Sequence, residues 1–129
     1  MDIISELEKK LILFFKSNFF EGLIKGIYTC IPDDANFPLI KIEFFKKKQL
    51  YESIENLSCI DANIQIVTND FSNEKCLKIL NKIEEVNLNE EINFEYLDQY
   101  YFKKNNSNVS QNINGFWKAN LSICLLYIR

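Results

Sequence analysis

The sequence predicts an α+β fold: a mainly antiparallel four-stranded sheet with two helices packed on one face, in the order α-β-β-α-β-β. Three observations predict it. Ile60, Ala62, Ile64, Ile66 and Thr68 alternate with Asp61, Asn63 and Gln65, the period of a half-buried strand, with Val67 the one apolar residue on the polar side. Straight after it, Cys76, Leu77, Leu80, Ile83 and Val86 recur at spacings of three and four, with Lys75, Lys78, Lys82, Glu84 and Glu85 between them, which gives an amphipathic helix from about Ser72 to Asn87. At the end of the chain Trp117, Ala119, Leu121, Ile123, Leu125 and Tyr127 repeat the two-residue alternation. A single sheet carrying helices on one side covers all these apolar stripes at once.

Taken in order, the first element is a helix from Asp2 to about Phe19. Its apolar stripe of Ile4, Leu7, Leu11, Phe14 or Phe15, and Phe19 faces away from Glu6, Lys9, Lys10 and Lys16. So many phenylalanines would also suit a membrane surface, but such stripes ordinarily face a core. Gly22 and Gly26 break the helix, and the passage from Gly26 to Pro38 reads as an extended stretch followed by a fixed turn, loop rather than helix, because Pro32 and Pro38 each remove an amide donor and restrict the residue before them. Leu39 to Phe45 forms the first strand, with Ile40, Ile42 and Phe44 on one side and Lys41 and Glu43 on the other. Lys46, Lys47 and Lys48 end it, and residues 49 to 57 are a polar connection. For the helix of the central unit, Asp70 or Ser72 supplies an acceptor for the first-turn amides, and Glu74 suits the positive end of the helix dipole. Ile92 to Tyr96 alternates again and continues towards Tyr100 and Phe102, while Asn105 to Asn114, poor in apolar residues, reads as a mobile loop. The other side of the last strand begins with Lys118, Asn120 and Ser122 but ends with Cys124, Leu126 and Ile128. A strand apolar on both sides needs cover on both, from the protein's own loop or first helix, or from a partner subunit.

At 129 residues the chain suits one domain, residues 1–129, large enough for a core without metal or disulfide, and 47% hydrophobic against 26% charged residues is ordinary for a globular protein. Cys30, Cys59, Cys76 and Cys124 lack the close paired spacings of zinc and redox motifs, so reduced thiols and a cytoplasmic setting are expected. Asp2, Glu6 and Glu8 stand where a signal peptide would need positive charge, and no stretch approaches the ~20 apolar residues of a membrane span. The chain contains no histidine, which removes the commonest general base near neutral pH and most catalytic zinc sites. Of 15 basic residues only Arg129 is not lysine, and the net charge of -3 gives no basic footprint for nucleic acid.

Two patches invite a sharper reading. Lys46 to Lys48, and Tyr100 to Lys104 with aromatic and basic residues side by side, are the kinds of surface that touch phosphate or stack bases. A small nucleic-acid-binding or metal-dependent nuclease-like domain is the alternative they support, although a solvated strand end and ordinary sheet packing account for them as well. Asp33 with Glu43 is a partial echo of metal-dependent nucleases, but Lys46 falls three residues after Glu43 and so on the opposite face of a strand. Gly22, Gly26 and Gly115 form no phosphate loop, and no nucleophile sits beside an identifiable base. The expectation is a protein that is not an enzyme and uses no cofactor.

Gly26-Ile27-Tyr28, Pro32, Pro38 to Ile42 entering the first strand, Ala62 to Val67 with the helix from Ser72, and Trp117 to Leu121 in the last strand together resemble the tail terminator, or tail-completion, proteins of long-tailed phages and phage-derived gene transfer agents. The resemblance runs over nearly the full length and rests on structural residues and spacings. The chain departs from the pattern in its lysine-rich connection after the first strand and its Asn-rich stretch before Gly115. The resemblance implies a structural protein that forms a ring, a hexamer in this family, on the end of a finished tail tube, stops its growth and prepares head joining. Its partners would be other copies of itself, the tail tube protein and a head-tail connector, with no membrane and no nucleic acid. Assembly would take place in the cytoplasm, and the finished protein would sit in the tail of a phage or phage-like particle. On this reading Asp33, Asp34, Lys46, Lys47, Lys48, Cys124, Leu126 and Ile128 are the candidate interface residues.

Overall fold

The computed structural model describes residues 2–19, 22–47, 57–95, 97, 99–111 and 115–128. Among them the chain runs α1 (Ile3–Phe19), β1 (Gly26–Tyr28), β2 (Leu39–Lys47), β3 (Leu57–Thr68), α2 (Glu74–Glu84), α3 (Leu88–Glu91), β4 (Gln99–Gln111) and β5 (Trp117–Ile128). The strands form one mixed sheet in the order β1-β2-β3-β5-β4. The α+β class is as expected from the sequence, whereas four antiparallel strands and two helices become five strands and three helices.

The strand alternation sorts side chains as it should. Ile40, Ile42, Ile60, Ala62, Ile64, Ile66, Ala119, Leu121, Ile123 and Leu125 are buried in one cluster with Leu7, Leu11 and Phe15 of α1 and Cys76, Ile79, Leu80 and Ile83 of α2. Both long helices therefore lie on the same face of the sheet, each covering the stripe its own apolar side demands. Burying a side chain of this size contributes about 1.5–3 kcal/mol, so this layer carries most of the drive to fold. Asp2 opens α1, its carboxylate accepting from the amide of Ile4 at 3.3 Å. At the start of α2 the Ser72 hydroxyl accepts weakly from Glu74 N at 3.5 Å, while Asp70 turns instead to Lys75, also at 3.5 Å.

Three local expectations are corrected. Gly26–Tyr28 is a short strand parallel to β2, in register with Leu39 to Lys41. The prolines belong to the connection that follows it, and three residues are too few to show an alternation. Ile92 to Glu95 does not join the sheet, and Tyr96 lies outside the described residues: Ile92 and Phe94 are buried as the pattern implied, but they pack into the core just after α3. Phe94 N donates to the Tyr100 hydroxyl at 3.3 Å. Alternating burial needs only extended backbone, and a strand needs a ladder partner as well. Finally, the Asn- and Ser-rich segment expected to be a loop is β4 as far as Gln111, paired with β5 through a bulge between Lys104 and Ser107. An edge strand holds its place through backbone hydrogen bonds, so its side chains can stay polar. Residues 112–114, and 49–56 of the expected polar connection, lie outside the described residues.

Candidate interface on the open sheet face

The second face of the sheet carries no helix among the described residues, because α1 and α2 both belong to the first. Register decides what it displays. Lys41 and Glu43 of β2 pair opposite Gln65 and Asn63 of β3, which pair in turn with Asn120 and Ser122 of β5. Lys41 holds Glu43 at 2.7 Å. Asn63 Nδ2 and Gln65 Nε2 both donate to Asn120 Oδ1, at 3.3 and 3.1 Å, and Asn120 Nδ2 donates to Asn108 Oδ1 at 3.2 Å. A row of amides thus crosses three strands, each offering the donor or acceptor its neighbour lacks.

Towards the end of β5 the same face becomes apolar. Leu57 lies opposite Ile128, Cys59 opposite Leu126, and Tyr101 of β4 opposite Leu126 from the other side. Phe45, across from Asp61, is 51% exposed and Tyr101 is 58% exposed. Leu57, Gln99, Tyr101, Leu126 and Ile128 help to line a shallow hollow of about 180 Å³ there. The double-sided apolar character read from Cys124, Leu126 and Ile128 thus has a structural counterpart. The first helix does not cover this side of the strand.

The other sequence candidates are placed separately. Asp33 and Asp34 are exposed in a turn closed by Ala35 N donating to Pro32 O at 3.2 Å. The connection then enters β2 at Leu39, the opposite end of that strand from Lys47, and the Phe37 ring lies 5.1 Å from that of Phe116. Lys46 and Lys47 close β2 in register with Ile60 and Cys59, and Lys48 lies outside the described residues. The expected interface set is therefore not one patch: Cys124, Leu126 and Ile128 share the apolar end, and Asp33 and Asp34 do not join them.

The aromatic and basic run of β4 is divided by the strand's own alternation. Tyr101 and Lys103 are exposed, but Phe102 is buried and Tyr100 is half-buried, its hydroxyl donating to Asn93 Oδ1 at 3.2 Å. Lys104 Nζ donates to the carbonyls of Ile83, Glu84 and Val86 at the end of α2. Burial lowers the Lys104 pKa from its usual value, with the charge of Glu84 opposing. Of the five residues in this run, Tyr101 and Lys103 are left facing solvent.

Sequence spacing missed one constellation. Cys59 and Cys124, 65 residues apart, come together on β3 and β5 with their sulfurs in disulfide contact, and Asp61 lies beside them. Reduced thiols were expected throughout; Cys30 and Cys76 are free, one exposed and one buried. Burial raises the Cys76 thiol pKa, and the neighbouring Thr68 hydroxyl opposes the shift. Cys59 and Asp61, two apart on a strand, were a visible same-face pair, but only the β3–β5 register brings in Cys124. No protein-family profile matches this chain, and no curated protein is similar to it in sequence.

Proposed function

We infer that this protein is a structural capping subunit that closes the end of a phage-like tail tube as a ring, ending tube growth and preparing head joining. The observation that carries the reading is the apolar end of the open sheet face, where Leu126 and Ile128 stand with Leu57, Phe45 and Tyr101 on a face that is otherwise polar. An apolar centre rimmed by amides and charges is the anatomy of a surface that meets a partner. The resemblance of Gly26 to Tyr28, Pro38 to Ile42 and Trp117 to Leu121 to tail terminator proteins supplies the kind of partner.

The mechanism is one of surfaces. A tube grows because each ring offers the next a copy of the contact it has just used, a heterologous interface that does not close along the axis. A terminator matches one side of that contact and lacks the other. Copies of this chain, six in the family it resembles, would close side by side through the open face, one rim seated on the tube protein and the other offered to a head-tail connector. Such a cap requires shape and apolar area and no cofactor or catalytic group. It would be made in the cytoplasm and remain in the particle's tail.

Electron microscopy of particles assembled without this protein is the test. Tails of uncontrolled length, or finished tails without heads, are expected. Tails of normal length joined to heads would overturn the reading.

A further inference from the structure

The open face also carries a cluster whose ligand chemistry capping does not call on, although one member, Cys124, borders the apolar end. Cys59, Asp61 and Cys124 bring two sulfurs and a carboxylate oxygen within 4.8 Å of one another. Cys59 and Asp61 share a face because strand side chains repeat every two residues, and Asp61 stands directly opposite Cys124 in the β3–β5 register. Both cysteines are buried, at 2% and 6% exposure, and Asp61 is half-buried. The three donors therefore project from two hydrogen-bonded strands at the centre of the sheet, a scaffold with little freedom to spread.

We propose that, in the reduced protein, Cys59, Asp61 and Cys124 bind a soft divalent cation, with zinc the best match, leaving its fourth position open. Two thiolates and a carboxylate are a donor set that suits zinc and that hard cations such as magnesium avoid. Dimensions agree with the chemistry. Tetrahedral zinc, with Zn–S of about 2.3 Å and Zn–O of about 2.0 Å, separates a sulfur from an oxygen ligand by roughly 3.5 Å. Cys59 Sγ lies 3.5 Å from Asp61 Oδ1. The two sulfurs would stand about 3.8 Å apart around the ion. Their Cα atoms are 6.5 Å apart, so side-chain rotation opens the pair without moving the strands. Lys103 lies opposite Cys124 on β4, where its positive charge partly offsets the excess negative charge of three anionic ligands on a divalent ion.

Metal binding and the disulfide are exclusive states of one pair. Reduction by a phosphine in water breaks the S–S bond, leaves two thiols and carries the water oxygen away as phosphine oxide. Each thiol then loses its proton as the cation binds.

The experiment uses the full chain carrying Cys30→Ser, which removes the exposed third thiol. After reduction and removal of the phosphine, the protein is titrated with Co²⁺ as a spectroscopic probe and then with Zn²⁺. A thiolate-to-cobalt charge-transfer band that saturates at one ion per chain and is displaced by zinc is expected. Cys124→Ser should abolish it, and Asp61→Asn should weaken binding at least about tenfold, with unchanged circular dichroism in both. Three outcomes would overturn the site: no such band in the reduced protein, a band that survives Cys124→Ser, or immediate return to the disulfide with cobalt present, seen as the loss of two hydrogens by mass. The measurement is made on the free protein, so its outcome is independent of ring formation and tail capping.

Discussion

Trp117 shows how one side chain can contribute through size while carrying a polar handicap. It opens β5 opposite Thr68 and Gln111 and packs half-buried against the core, yet its buried indole Nε1 has no hydrogen-bond partner among the described residues. An N–H withdrawn from water without a partner costs about 1–3 kcal/mol, so the ring must earn its place by contact. Trp117→Ala should destabilise by about 3 kcal/mol or more, whereas Trp117→Phe, which keeps most of the contact and removes the orphaned donor, should change stability by less than about 1 kcal/mol. Denaturant melts of the two variants check this. An alanine cost below about 1 kcal/mol would show that the indole is not part of the core. Lys104 makes the complementary point. In the sequence it is one of a run of basic and aromatic residues, but in the structure its ammonium donates to the Glu84 and Val86 carbonyls at the end of α2 and adds a second contact at the Ile83 carbonyl, which already accepts from Val86 N. A strand residue's role depends on register and on bulges such as the one beside it. Neither is written in the residue's neighbours.

Among elements, α3 and β4 show how an edge is managed. Asn89 of α3 treats Phe102 as a strand partner would: its Oδ1 accepts from Phe102 N at 2.7 Å and its Nδ2 donates to Phe102 O at 3.1 Å. A side-chain amide has the same donor and acceptor pair as a peptide group, so one asparagine covers one rung of an exposed edge. Asn89→Ala should cost about 1–2 kcal/mol, and Asn89→Asp, which keeps the acceptor for Phe102 N but loses the donor, should fall between it and the native protein. Thermal melts and hydrogen exchange at the Phe102 amide measure both effects, and unchanged protection in Asn89→Ala would show that the contact is incidental. What was legible follows the same logic. The alternation of Ile60 to Thr68 and Trp117 to Tyr127, and the helical spacing in α1 and α2, gave the right elements because each has a wide apolar face and a polar back. β1 and the far half of β4 are held by backbone pairing rather than by side-chain pattern, and Asn89's role depends on a residue 13 positions away. The double-sided end of β5 was visible as Cys124, Leu126 and Ile128, but the amide row and the Cys59–Asp61–Cys124 cluster required the order of strands across the sheet.

For the whole molecule the question is what the two-faced sheet does when copies meet. One face is spent on the core, and the other has an apolar end of limited size around Leu126. Association must offset lost translational and rotational freedom, at a cost of about 4–15 kcal/mol, which a small apolar patch does not easily exceed. A tube end changes the balance, because subunits seated side by side on a common surface meet at a high effective concentration. The protein should therefore be a monomer or weak oligomer in dilute solution and form rings at high concentration or on tube ends. Those rings should persist in moderate salt, because the contact at their centre is apolar and salt screens only charges at the rim. Leu126→Lys is the decisive variant. Leu126 is half-buried on the open face, between Cys59 and the largely exposed Tyr101, so a lysine there can carry its charge into water and the core on the far side is untouched. Copies facing one another across that position would bring like charges into an apolar contact. The expected outcome is loss of rings by electron microscopy and loss of concentration-dependent assembly by sedimentation, with circular dichroism and melting temperature retained. A variant that still forms rings would move the interface elsewhere, and one that unfolds would mean that the chain itself covers this face.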